Sequence, residues 1–179
     1  STMAQLTHTS SFDAGDILAY RKKLKANAEA LGLANITLND IIIYAVSRVL
    51  KNHKDLNAHF LDDRMRYFSN VNIGMAVDTP RGLLVPTIFC ADKKSLNEIA
   101  VETKEIAKAA QEGAISPDKL TGASFTISNL GSFGIEHFTP VINPPQTGIL
   151  GVNNIQTKLK MKDGQAAAYQ AMGLSLTYD

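Results

Sequence analysis

Hydrophobic positions recur along this chain at two spacings, and each spacing predicts a different kind of element. The opening run LTHTSSFD reads as a strand ending at Asp13, which is placed to cap a helix that extends to about Leu31. Ile17, Tyr20, Leu24, Ala28 and Leu31 fall three and four apart as one apolar stripe, and Gly32 supplies the stop. A second helix is predicted from Thr37, with Asp40 three residues on in a relative of the capping box. Its IIIYAVSRVL is apolar nearly all round, so it is expected to lie against a sheet. A third helix has the full box, Ser95 with Glu98, a stripe through Leu96, Ile99, Thr103, Ile106 and Ala110, and an end at Gly113.

A period of two governs the rest. VNIGMAVD puts Val71, Ile73, Met75 and Val77 on one face, and GLLVPTIF, ASFTISN, TGILGVNNI and GLSLTYD follow, separated by Gly, Pro and Asn. In the last of these, Met172, Leu174, Leu176 and Tyr178 line one face and Gly173, Ser175, Thr177 and Asp179 the other. Strands in this number, with helices grouped rather than strictly alternating, predict an α+β fold in which helices cover a mixed sheet. With 179 residues and no internal repeat, one domain spanning 1–179 is expected.

Composition narrows the function classes. A formal net charge of +1 with scattered lysines argues against nucleic acid or an anionic membrane as partner. No run of 18 apolar residues is present, no signal peptide is visible at STMAQ, and a lone Cys90 excludes an internal disulfide framework. His8, His53, His59 and His137 lack metal-ligand spacing, so no metal is expected. GxGxxG, P-loop and GxSxG motifs are absent, which removes the parts of dinucleotide, nucleotide and serine-hydrolase sites.

Candidate chemistry concentrates in GASFTISNLGSFGIEHFTPVINPP, residues 122–145. Ser124, Thr126 and Ser128 share one side of the strand, opposite Ala123, Phe125 and Ile127, and the strand ends at a glycine-rich loop. Ser175, Thr177 and Asp179 repeat the pattern, so two narrow polar faces would flank a channel. The same alternation also describes the ordinary solvent-facing side of a sheet.

The run FTISNLGSFGIEHFTPVINPPQTGILGV, with DTPRGLLVPTI at 78–88 and the terminal GLSLTYD, closely resembles the catalytic domain of dihydrolipoyl acyltransferases, the core components of 2-oxoacid dehydrogenase complexes. The resemblance implies a chloramphenicol acetyltransferase-like fold and acyl transfer between dihydrolipoamide and coenzyme A. It assigns the oxyanion donor to Ser128 and matches Asp179 to the first residue of a DHRxxDG motif, one position before the family's catalytic histidine. On that reading the chain is truncated at the C-terminus, where a last helix follows in the family, and an Arg-bearing helix precedes STMAQ. Such a fragment is expected to be inactive alone.

The resemblance also implies a channel between adjacent subunits of a trimer. Ser124, Thr126, Asn129, Gly131, Phe133, His137 and Phe138 are assigned to it, with Asp78 and Arg81 nearby. Coenzyme A is then a co-substrate, and the lipoyl group rides on a separate domain. Trimers would build a larger symmetric core that meets lipoyl domain, decarboxylase and dihydrolipoyl dehydrogenase, in a bacterial cytoplasm or a mitochondrial matrix. The central motif favours acetyl, from pyruvate or acetoin, over succinyl or branched-chain groups, with Phe133 and Phe138 placed to narrow the pocket. A non-catalytic assembly subunit of the same fold is the alternative.

Overall fold

The computed structural model describes residues 3–179. Strand β1 (Leu6–Asp13) leads into α1 (Gly15–Ala26) and a single turn, α2 (Ala28–Leu31). Asp13 does not occupy the cap itself: Ala14 does, and the Asp13 carboxylate accepts the Gly15 N–H at 3.0 Å. The expected continuous helix is interrupted at Asn27, whose side-chain amide donates to the Lys23 carbonyl at 2.8 Å and closes the first segment. Gly32 then stops the pair in a left-handed conformation, φ 63°.

Helix α3 (Leu38–Val49) begins with the full box, Thr37 accepting from the Asp40 N–H and the Asp40 carboxylate accepting from the Thr37 N–H. A two-stranded hairpin of β2 (Ala58–Leu61) and β3 (Arg64–Tyr67) follows, then β4 (Ile73–Met75), the small β5 (Val77–Thr79) and β6 (Gly82–Leu84) pair, and β7 (Thr87–Ile88). Helix α4 (Leu96–Gln111) carries the Ser95–Glu98 box, and its buried stripe is Ile99, Ala100, Thr103, Ile106 and Ala110. The remaining strands are β8 (Phe125–Asn129), β9 (Gly148–Lys162) and β10 (Gln165–Tyr178).

These strands form a six-stranded mixed sheet in the order β1-β10-β9-β8-β4-β7. β8 runs parallel to both β4 and β9, and the outer pairings are antiparallel. Ile73, Met75, Phe125, Ile127, Leu150, Val152 and Met172 of the sheet join one apolar core with Val71, with Ile42 and Ile43 of α3 and with Ile99 and Ile106 of α4. Each such side chain taken fully out of water contributes about 1.5–3 kcal/mol, so this layer holds helices and sheet together. The fold is therefore α+β, a mixed sheet covered by helices.

Two hairpins exceed the expected strands. β9 and β10 continue beyond the sheet as a two-stranded arm turning at Asp163 and Gly164, φ 51° and 78°. Two successive positive φ values make the mirror-image turn that matches strand twist, and Asp-Gly is a strong sequence signal for it. β2–β3 turns at Asp62, φ 53°. Gly173 marks a register shift between Met172 and Leu174, where Asn153 and Asn154 of β9 stand opposite a single residue of β10.

Candidate active site

The second face of the sheet is polar, yet much of it is enclosed. Ser124, Thr126, Ser175 and Thr177 are all at most 1% exposed. Their hydroxyls find partners inside. Ser124 Oγ donates to Asn57 Oδ1 at 2.5 Å, Thr126 Oγ1 to Gln146 Oε1 at 2.6 Å, and Thr177 Oγ1 meets Thr7 Oγ1 at 2.7 Å. Asn57 is itself held by its amide on the Phe68 and Asn70 carbonyls, and His59 Nε2 reaches the Ala123 carbonyl at 2.7 Å. The β2–β3 hairpin and the segment around Gln146 thus roof the early part of β8, and the hydroxyls of Ser124 and Thr126 face that roof rather than open space.

Ser128 is different. It stands at the end of β8, half-buried, and its hydroxyl makes no side-chain hydrogen bond among the described residues. Strand register places it in a row across four strands: Ser128 beside Gly151, Gly151 opposite Ser175, and Ser175 opposite Thr9. Ser175 Oγ lies 3.2 Å from Thr9 Oγ1 and accepts from Asn153 Nδ2 at 3.2 Å, which fixes the far end of the row. Next to Ser128 the strand is bare. A Cβ on Gly151 would approach Phe138 Cζ to 2.8 Å and Pro140 Cγ to 3.2 Å. The missing side chain seats the Phe138 ring directly against β9, beside the free hydroxyl.

The other sequence candidates divide. Asn129 faces α3, not the Ser128 side: its amide donates to Asn39 Oδ1 at 3.1 Å and its Oδ1 accepts from Gly131 N at 2.9 Å. It holds the loop after Ser128 from behind. Gly131 packs so closely that a Cβ would lie 2.8 Å from the Asn153 carbonyl oxygen. Phe133, in the same loop, is 67% exposed.

Arg81 is drawn elsewhere. Its guanidinium lies about 3.0 Å from where a Gly113 Cβ would stand, at the C-terminal end of α4, where helix carbonyls attract a cation. That end is on the helical side of the sheet, so Arg81 does not join Ser128. Asp78 is exposed on the β5–β6 hairpin, which leaves the sheet just beyond the level of Ser128, given Met75 paired with Ile127.

Asp179 is exposed and lies outside that row, its N–H donating to the Thr147 carbonyl at 3.2 Å. It lies four residues beyond Ser175 along β10, about 13 Å, and two strands across from Ser128, so the pair is separated by roughly 16 Å in one chain.

His137 is exposed and lines a cavity of about 450 Å³ with Glu136, Thr9, Ser11, Gln156 and Lys158, on the same side of the sheet as Phe138. Two residues past Lys158 along β9, Lys160 Nζ meets Asp13 Oδ2 at 2.6 Å. This bond holds the Asp13 carboxyl below its ordinary pKa and raises that of Lys160. Sequence reasoning did not assign Thr9, Asn57 or Gln146 a part in this face. The glycine inside GILGV was a signal for the Phe138 seat, because glycine within a strand marks close approach.

The chain matches the family model of the 2-oxoacid dehydrogenases acyltransferase (catalytic domain) over residues 1–179. The dihydrolipoyllysine-residue acetyltransferase component of the acetoin cleaving system of Bacillus subtilis (strain 168) is 38% identical over 176 residues. That match takes in 98% of this chain and 44% of the relative, so the chain spans less than half of its length.

Among solved structures, the Azotobacter vinelandii dihydrolipoamide acetyltransferase superimposes with a TM-score of 0.92 at 36% identity, covering 99% of this chain and 73% of that one. It was studied for the roles of a serine, a histidine and an asparagine in its catalytic mechanism. The cubic core of the pyruvate dehydrogenase multienzyme complex superimposes equally well, with the same identity and coverage. A chloramphenicol acetyltransferase shares the fold alone, with a TM-score of 0.54 at 15% identity over 97% of this chain and 78% of its own.

Proposed function

Since the chain belongs to the family of 2-oxoacid dehydrogenase acyltransferase catalytic domains, we propose that it forms the donor half of a site that moves an acetyl group between dihydrolipoamide and coenzyme A. The observation that carries this reading is the single unengaged hydroxyl of β8, at Ser128, beside the bare strand at Gly151.

Thioester exchange needs two things from a protein. A thiol with pKa near 8.5 is a weak nucleophile until a base takes its proton. The thiolate then adds to the thioester carbonyl, and the tetrahedral oxyanion needs a preplaced hydrogen-bond donor. Ser128 O–H is that donor: the new C–S bond forms, the oxyanion is held, the old C–S bond breaks, and the departing sulfur regains the proton.

The base in this proposal is the family's histidine, which DHRxxDG puts directly after the position of Asp179. With Asp179 roughly 16 Å from Ser128 in one chain, that base serves the Ser128 of a neighbouring copy, as in the trimer the resemblance implies. Phe138, seated on Gly151, walls the space beside Ser128 and keeps it small, which suits acetyl. Its relatives serve acetoin cleavage and pyruvate dehydrogenase complexes, and this chain is assigned to an assembly of that kind.

A mixing experiment tests the shared site. In the full-length protein, Ser128→Ala and a variant lacking the histidine are each expected to be nearly inactive. Co-assembled by refolding together, they regain activity, because some junctions then carry both intact groups. Mixtures that stay as inactive as their parents overturn the shared-site reading.

A further inference from the structure

The Ser128 hydroxyl makes no side-chain hydrogen bond among the described residues, so the backbone that carries it sets where it stands. That backbone is held unevenly. On one flank β8 is paired with β9 through both Ser128 and Asn129. On the other, its pairing with β4 ends at Ile127, where Met75 stands opposite and the Ala76 N–H donates to the Ile127 carbonyl at 3.0 Å. The chain there leaves for the β5–β6 hairpin. The last two residues of β8 thus have a strand neighbour on β9 alone, and strand ends held this way open most readily.

A side chain of α3 supplies the second hold. Asn129 Oδ1 accepts the Gly131 N–H at 2.9 Å, and because a backbone N–H only donates, this bond fixes which end of the Asn129 amide is oxygen. Its Nδ2 is left to donate, and it reaches Oδ1 of Asn39, half-buried in the first turn of α3, at 3.1 Å. That turn is itself braced. Thr37 and Asp40 close its capping box, and Asp40 Oδ1 accepts from Thr103 Oγ1 of α4 at 2.6 Å, both residues being buried. Asn39 therefore ties the one-sided end of β8 to a helix start fixed by two helices.

We propose that Asn39 is a positioning residue for the oxyanion donor: its side-chain carbonyl, through Asn129, holds the end of β8 where the Ser128 O–H meets the tetrahedral oxyanion. The assignment rests on the acyltransferase reading above. Asn39 touches no reacting group, since the strand period sends Asn129 to the helical face and Ser128 to the other. The contact acts through the backbone, and its loss shifts the hydroxyl without removing it. A donor works only when preplaced within hydrogen-bond reach of the developing charge, so a small displacement is costly in rate.

The test is a double-mutant cycle in the full-length enzyme, with kcat and KM measured for Asn39→Ala, Asn39→Asp, Ser128→Ala and the Asn39→Ala/Ser128→Ala pair. Asn39→Ala should lower kcat roughly tenfold and leave KM for coenzyme A and dihydrolipoamide within about twofold. Asn39→Asp keeps an accepting oxygen in place, and a carboxylate suits the first turn of a helix, so it should recover most of that loss. In the Ser128→Ala background, Asn39→Ala should cost no more than about twofold further, because the hydroxyl it positions is already gone.

A residue that only stabilises the fold would lower kcat by the same factor with and without the Ser128 hydroxyl, and that result overturns the proposal. So does an Asn39→Ala enzyme whose kcat matches that of the unmodified one, or an Asn39→Asp enzyme no better than Asn39→Ala. Each of these leaves the acyltransferase reading intact. A Ser128→Ala enzyme that keeps its kcat instead refutes the oxyanion donor itself, and with it the reading from which the role of Asn39 follows.

Discussion

Three hydroxyls on one strand face, Ser124, Thr126 and Ser128, should respond to removal in two distinct ways. Ser124→Ala strips Asn57 Oδ1 of its donor and the Asn72 N–H of its acceptor, in a site with no exposed surface. Thr126→Val leaves Gln146 Oε1 without its 2.6 Å partner. A buried polar group left unpaired costs about 1–3 kcal/mol. For a domain of this size 1 kcal/mol corresponds to roughly 2–4 °C, so each variant should lower Tm by about 2–12 °C.

Ser128→Ala orphans no side chain, because its hydroxyl has no partner to abandon, and Tm should stay within about 2 °C. Its cost appears in the transition state: kcat should fall roughly 10²–10³-fold, the range for one oxyanion donor, with KM little changed. Circular dichroism melts at fixed protein concentration and steady-state kinetics on the full-length protein measure both quantities. If Ser128→Ala melts like its neighbours, or keeps kcat within a few-fold of theirs, the separation of one reactive hydroxyl from two structural ones is wrong.

Gly151→Ala should displace the Phe138 ring, since the added methyl would stand 2.8 Å from Cζ. The expected cost is about 1–3 kcal/mol of stability, and Phe138→Ala in the same chain should recover most of it, as read by urea unfolding. The Asp13–Lys160 pair gives a pH signature. The carboxyl is held below its ordinary pKa chiefly by the Lys160 hydrogen bond, then by the Gly15 N–H. Its contribution is therefore present above the unfolded-state pKa and lost as pH falls through the lower folded value. NMR titration should find Asp13 protonating at a lower pH than an ordinary aspartate, and Lys160→Ala should move that midpoint upward; a midpoint unaffected by Lys160→Ala would contradict the assigned cause.

Local rules in the chain determined a good deal. The capping boxes at Thr37 and Ser95, the α4 stripe and the stop at Gly32 need only neighbours within a turn, and all were legible in residue order. So was the α+β arrangement, from strand and helix periods. TISNLGSFG offered Ser128 and its loop as the candidate place for chemistry, and it did so through resemblance.

Tertiary structure decided what each polar side chain does. Alternation assigned Ser124, Thr126 and Ser128 to the same face, and it assigned Asn129 only by sharing a motif. Which hydroxyls are roofed depends on segments distant in sequence, Asn57 and Gln146, closing over β8. The pairing of Ser128 with Gly151, and of Gly151 with Ser175, is a register, and a period of two does not specify register across strands. Arg81 sits close to Asp78 in the chain, yet the end of α4 takes it to the other side of the sheet. Sequence order carries the local preferences; the free hydroxyl at Ser128 stands apart only once long-range packing has engaged those of Ser124, Thr126, Ser175 and Thr177 on the same sheet face.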